Sequence, residues 1–136
     1  MSPASQTGLG TFAIAGRAMA AQLVRLNTIA SNLANAGAVA GTADTAYRAL
    51  RPVFTTHYDG DSATVDVTAV ERTGTPDKRS DPNHPLADSD GNVWTAAVDP
   101  NQELVEMVET QRQYANNVEV LSTAKALALD TLRLGR

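Results

Sequence analysis

The side chains that could do chemistry are few, and their spacing argues against most of it. His57 and His84 are the only histidines. Neither has a second histidine about four residues away, the spacing that puts two imidazoles on one helix face around a metal. "DSDGN", residues 88 to 92, has the oxygen-rich start of a calcium loop. A loop of that kind beginning at Asp88 needs Gly at its sixth position and Glu at its twelfth, where Val93 and Asp99 stand. A tight turn at Asp90-Gly91 is the better reading. Glu106 and Glu109 are expected on the wet side of a helix. Cys is absent, which excludes disulfides and thiolate ligands, and no glycine-rich phosphate loop or nucleophile elbow occurs. The expectation is a chain without catalytic residues, cofactor or metal.

Amides are the more unusual resource. "RLNTIASNLANAG", residues 25 to 37, carries Asn27, Asn32 and Asn35 inside a helical pattern. Each Asn costs a helix interior roughly 0.5 kcal/mol relative to Ala. A solvated face tolerates that cost, but a charged face would serve solubility better, and no acid precedes Asp44. That scarcity favours amides that are buried and hydrogen-bonded, Asn32 and Asn35 each offering donors and an acceptor oxygen to groups on neighbouring helices in an assembly.

Two long helices must position these groups. Over residues 11 to 36, Phe12, Met19, Leu26 and Leu33 recur every seven residues, flanked by Leu23 and Ile29. Gly37 is placed to stop that helix as a C′ residue. The first ten residues show no period. The second helix is expected from Asp99 as N-cap, with Pro100 at N1 and Gln102 closing a capping box. One stripe runs through Leu104, Met107, Val108, Ala115, Val118, Ser122, Leu129 and Leu132, with Tyr114 and Leu121 at its edge. A second, through Val120, Leu127 and Leu134, lies on roughly the opposite side. Between the helices, "RPVFTTHYDGDSATVDVTAV" reads as two strands about Asp59-Gly60, with Val65, Val67 and Ala69 sharing the buried face. Residues 72 to 92 are too rich in Pro, Gly and Asp for long elements.

Three segments result: residues 1–36, 37–98 and 99–136. The fold class is mainly α with a small β part, its two terminal helices packing in coiled-coil-like layers in an assembly. Aromatics make up only 4% of the chain, so a thick core is not expected. A helix of ~35 residues is ~52 Å long, beyond the roughly 35–40 Å diameter of a compact globule this size. Together with the second stripe, that length suggests a subunit covered by neighbours. The formal net charge of −4 argues against a nucleic-acid surface, and no apolar run is long enough for a membrane span. The N-terminus lacks the pattern of a cleaved secretory signal. On residues alone, an open polymer and a soluble helical adaptor both remain.

"LNTIASNLANA" near the start and "VEMVETQRQYANNVEVLSTAKALALDTLRLG" at the end resemble the axial proteins of the bacterial flagellum, the rod, hook and hook-associated subunits. Tyr47-Arg48 followed by "RPVF", and "DPNHPLADSDGNV" at residues 81 to 93, are similar to the proximal-rod branch of that family. The resemblance implies a structural subunit of a helical drive shaft around an export channel, secreted by the flagellar type III apparatus. Implied partners are copies of itself, other proximal and distal rod proteins, the rod-to-MS-ring adaptor and the export apparatus. The residues expected at subunit interfaces are Phe12, Met19, Leu26, Ile29, Asn32, Leu33, Asn35, Leu104, Met107, Val108, Tyr114, Val118, Val120, Leu121, Leu127, Leu129 and Leu132.

Overall fold

The computed structural model describes the backbone of residues 3–135, and side chains from residue 10 onward. Helix α1 runs Pro3–Asn35 and helix α2 runs Pro100–Leu134. The first helix therefore begins well before the start set by its apolar period. Proline fits a first helical turn because its fixed φ and missing N–H cost nothing there. The helix then extends through residues that carry no stripe. At its other end Gly37 does not adopt a left-handed φ. The turn closes instead through Ala36 N–H to Leu33 O at 3.3 Å and Ala38 N–H to Asn35 O at 3.0 Å. Orphan carbonyls of the last turn are satisfied that way without a glycine cap.

The start of α2 follows expectation in part. Asp99 caps it, accepting from the backbone N–H groups of Asn101 at 2.9 Å and Gln102 at 3.4 Å, with Pro100 in the first turn. The reciprocal half of the capping box is replaced: the Gln102 side chain donates to Glu106 at 3.3 Å.

Five strands lie between the helices. β1 (Val39–Ala40), β4 (Asp77–Ser80) and β5 (Asn92–Thr95) form a three-stranded antiparallel sheet in the order β1-β5-β4. This sheet is absent from the sequence expectation, because its strands are too short to show alternation. Val93 is its fully buried side chain, and the Lys78 ammonium sits 5.9 Å from the Trp94 ring centre. β2 (Ala49–Asp59) and β3 (Ser62–Thr73) form the long hairpin. Its register places Gly60-Asp61 in the loop, one residue on from the expected pair, with Gly60 at φ +59°. A glycine at the first loop position suits the type II′ turn, whose twist matches the strands. The register shifts between Val53 and Phe54, where Val53 faces Ala69 but Phe54 faces Val67. Thr68 is the extra residue of that bulge, so Ala69 changes face relative to Val65 and Val67 and is exposed.

The turn before β5 is built by Asp88, whose carboxylate accepts from the N–H groups of Asp90 at 2.9 Å and Asn92 at 2.8 Å. Gly91 adopts φ +77° there. The Asn92 N–H, then the Asp90 N–H and the Lys78 charge, hold the Asp88 pKa below its usual 3.8, against a desolvation acting the other way. A depressed folded pKa contributes stability above the ordinary value and loses it as pH falls through the folded one. Acidification below about pH 3.8 is therefore expected to lower the exchange protection of the Asp90 and Asn92 amides relative to their intrinsic rates at each pH, as followed by NMR. Separately, Asp99→Ala is expected to lower unfolding free energy by about 1 kcal/mol through loss of the cap, measurable by urea denaturation.

Candidate subunit interface

The helices are antiparallel: Asn32 meets Glu103, while Gln22 Nε2 donates to Gln113 Oε1 at 2.9 Å. On α2 the covered positions include Glu103, Met107, Thr110, Tyr114, Asn117, Leu121, Ala124 and Ala128, alternately four and three apart. On α1 they include Ala15, Ala18, Gln22, Arg25, Ile29 and Asn32. This seam is largely polar or small. Hydrophobic periodicity could not find it, because Glu103, Thr110 and Asn117 hold positions that an apolar pattern would leave blank.

Asn32 is the junction of the fold. Its Oδ1 accepts from Leu50 N–H at 2.7 Å and from the Tyr47 hydroxyl at 3.0 Å. Its Nδ2 donates to Leu50 O at 3.0 Å and to Glu103 Oε2 at 3.1 Å. Every hydrogen-bonding site of the amide is used. The side chain pairs with both backbone groups of Leu50 as a neighbouring strand would, so the free edge of β2 is closed at that point by an α1 residue. Ser31 adds a contact to the Tyr47 hydroxyl at 3.1 Å.

Glu103, 0% exposed, is the other pole. Arg51 of β2 grips it through two nitrogens, Nη2 to Oε1 at 2.5 Å and Nη1 to Oε2 at 3.3 Å. The same Nη1 reaches Glu106 at 3.1 Å, and Arg25 of α1 stands 3.9 Å from Glu106. Glu106 is thus partly buried and paired, not the solvated carboxylate expected. Burial of Glu103 is tolerable because a guanidinium and an amide satisfy both of its oxygens. Neither Glu103 nor Arg51 stood out in the sequence. The available signal was an acid four residues into a helix N-terminus, matched by an arginine in a strand, and spacing alone cannot join those two.

The residues expected at subunit interfaces divide accordingly. Ile29 and Asn32 are wholly buried inside the single chain. Asn35 spends its amide on Ser31 O, 2.8 Å away on its own helix. Phe12, Met19, Leu26, Leu33, Met107, Tyr114 and Leu121 are half-buried. Leu104, Val108, Val118, Val120, Leu127, Leu129 and Leu132 are exposed, and Leu134 with them is 87% exposed. Both apolar stripes of α2 are therefore uncovered along most of their length, and the intramolecular seam runs between them. Among the described residues no cluster of three His, Asp or Glu side chains gathers to hold a metal.

The matched families correspond to the two parts that Asn32 and Glu103 join. Residues 12–41 match the flagella basal body rod protein family, and residues 89–134 match the C-terminal family of the flagellar basal body rod FlgEFG proteins. Over 131 residues the chain is 44% identical to the flagellar basal-body rod protein FlgC of Salmonella typhimurium, covering 94% of this chain and 98% of that protein. The same protein of Yersinia enterocolitica is 42% identical over the same share of both chains. That of Aquifex aeolicus is 33% identical, covering 84% of this chain and 87% of the relative. The chain belongs to the FlgC family of flagellar basal-body rod proteins. It is a structural subunit of the rod, and the resemblance drawn from its end motifs is upheld.

Within this rod subunit the two asparagines of "NLAN" separate cleanly. Asn32→Ala leaves the Leu50 N–H and C=O without partners and is expected to cost about 1–3 kcal/mol. Asn35→Ala removes only a local bond and gains helix propensity, for a change within about 0.5 kcal/mol. Urea melts of the two variants side by side measure the contrast.

Proposed function

We propose that this FlgC-family subunit polymerises helically through the exposed stripes of α2 and the half-buried face of α1, in the proximal rod. The observation that carries the reading is that α2 has one polar seam used within the chain and two apolar stripes that the chain leaves uncovered. Each large aliphatic side chain covered by a neighbour contributes about 1.5–3 kcal/mol. Repetition along a helical array multiplies that gain, and a head-to-tail interface whose rotation does not close gives an open filament. The partners are copies of the same chain, other proximal and distal rod proteins, and the adaptor that joins the rod to the MS ring. Family membership supports this partner set.

The rod so built surrounds the export channel and carries torque from motor to hook as a drive shaft. Torque divided over many parallel helix contacts loads each one lightly. Delivery by the flagellar type III apparatus belongs to the same reading. A seam made of alanine and polar pairs suits a chain that travels unfolded and gains most of its burial on arrival. The segments 1–36 and 99–136 then serve as the axial core, with 37–98 around it.

Leu127→Glu tests this directly. Leu127 is 63% exposed in the single chain, so the substitution is expected to leave helicity and unfolding midpoint within error. Motility in soft agar and recovery of the subunit in purified basal bodies are expected to be lost. A motile strain with intact rods would remove α2 from the interface.

A further inference from the structure

We infer that the β2–β3 hairpin is a hinged arm, with a root fixed in the helix pair and a tip that can be released from α1. The root is the buried junction already described, where Asn32 closes the β2 edge at Leu50 and Arg51 grips Glu103. Immediately beyond it comes the bulge at Val53/Phe54. A bulge interrupts the ladder and bends the strand, which makes it the natural flexing point of a two-stranded ribbon.

Past the bulge the arm is lightly held. A cleft of about 200 Å³ opens between α1 and the arm here, lined by Ala18, Ala21, Gln22 and Arg25 on the helix and by Phe54 and Val65 on the arm. A second cleft, of about 280 Å³, opens nearer the tip between Ile14 and Arg17 on the helix and His57 and Thr64 on the arm. Among the described residues, Arg17 forms a latch at this end. Arg17 Nη1 donates to Asp66 Oδ2 at 3.0 Å and to Thr64 Oγ1 at 3.3 Å. The two charged side chains are 53% and 37% exposed. An exposed ion pair of that kind is weak and is screened by salt, whereas the buried root pair is screened far less. The two attachments therefore differ in kind, and the weaker one is at the long end of the lever. An arm so built can change its angle to the helices without disturbing their pairing, which would let one chain meet non-identical neighbours. The inference does not depend on the rod reading.

The chain lacks cysteine, so spin labels can be placed without background. One pair, at Gly16→Cys and Asp61→Cys, spans helix and tip at exposed positions; a second, at Asn27→Cys and Glu71→Cys, spans helix and root. Distances are measured by pulsed EPR on the full chain in low and high salt, and again with Arg17→Ala in low salt. The tip pair is expected to shift to longer distance and broaden under both perturbations, while the root pair keeps its distribution. Two unmoved pairs would show an arm packed rigidly along its length. Movement of both pairs together would show the hairpin leaving as one body. Either result overturns the hinge, and the salt arm needs no substitution in the latch.

Discussion

The fold depends on one side-chain amide doing the work of a strand. Asn32 presents a donor and an acceptor to the Leu50 backbone, and its remaining capacity goes to Tyr47 and Glu103. Without it three elements meet at a point where a free β-edge and a buried carboxylate would both want partners. Unsatisfied buried polar groups cost more than the same bonds contribute when made. The junction therefore acts less as a source of stability than as a condition on geometry. Helix α1, strand β2 and helix α2 meet in an arrangement that answers every polar atom of the Asn32 and Glu103 side chains.

That condition matters because the rest of the chain imposes so little. The seam of Ala15, Ala18, Gln22 and Arg25 against Thr110, Gln113 and Asn117 buries small or polar groups. By area bookkeeping such a seam contributes much less than one of leucines. The leucines and valines exist but point elsewhere. Leu129 and Leu132 lie to one side of the seam and Leu127 to the other, and the polar pairs leave both sides outward. Charge pairing at one end of the helix hairpin thereby decides which surface remains for neighbours.

How much of this could be read beforehand follows from where information lies in a sequence. The two helices, the Asp99 cap and the hairpin announce themselves through short-range rules: a period, a capping residue, an Asp-Gly pair between β-branched runs. The uncovered second stripe was legible for the same reason. The partners of Asn32 were not, since they lie 18 and 71 residues away and an amide gives no hint of direction. The rotation of the α2 seam toward Tyr114 and Leu121 was hidden too. It is set by Glu103 and Thr110, which hydrophobic patterning counts as surface. The bulge at Thr68 inverted the face of Ala69, because strict alternation assumes no inserted residue.

A polar junction at the base of apolar helices also bears on how such a subunit can be assembled without clumping beforehand. Exposed apolar stripes on a free chain invite promiscuous association. Presented on a single rigid pair, they would be permanently competent. Both stripes lie on α2, and that helix is fixed against α1 by direct bonds, Asn32 to Glu103 and Gln22 to Gln113, to which β2 adds the Leu50 and Arg51 contacts. Strand, amide and carboxylate must converge, with Asn32 and Glu103 71 positions apart, before the stripes hold a fixed place relative to α1 and the hairpin. Closing so long a loop is slow compared with local helix formation. In a chain that has not completed its hairpin, α2 and its stripes are therefore not yet fixed relative to α1 and β2.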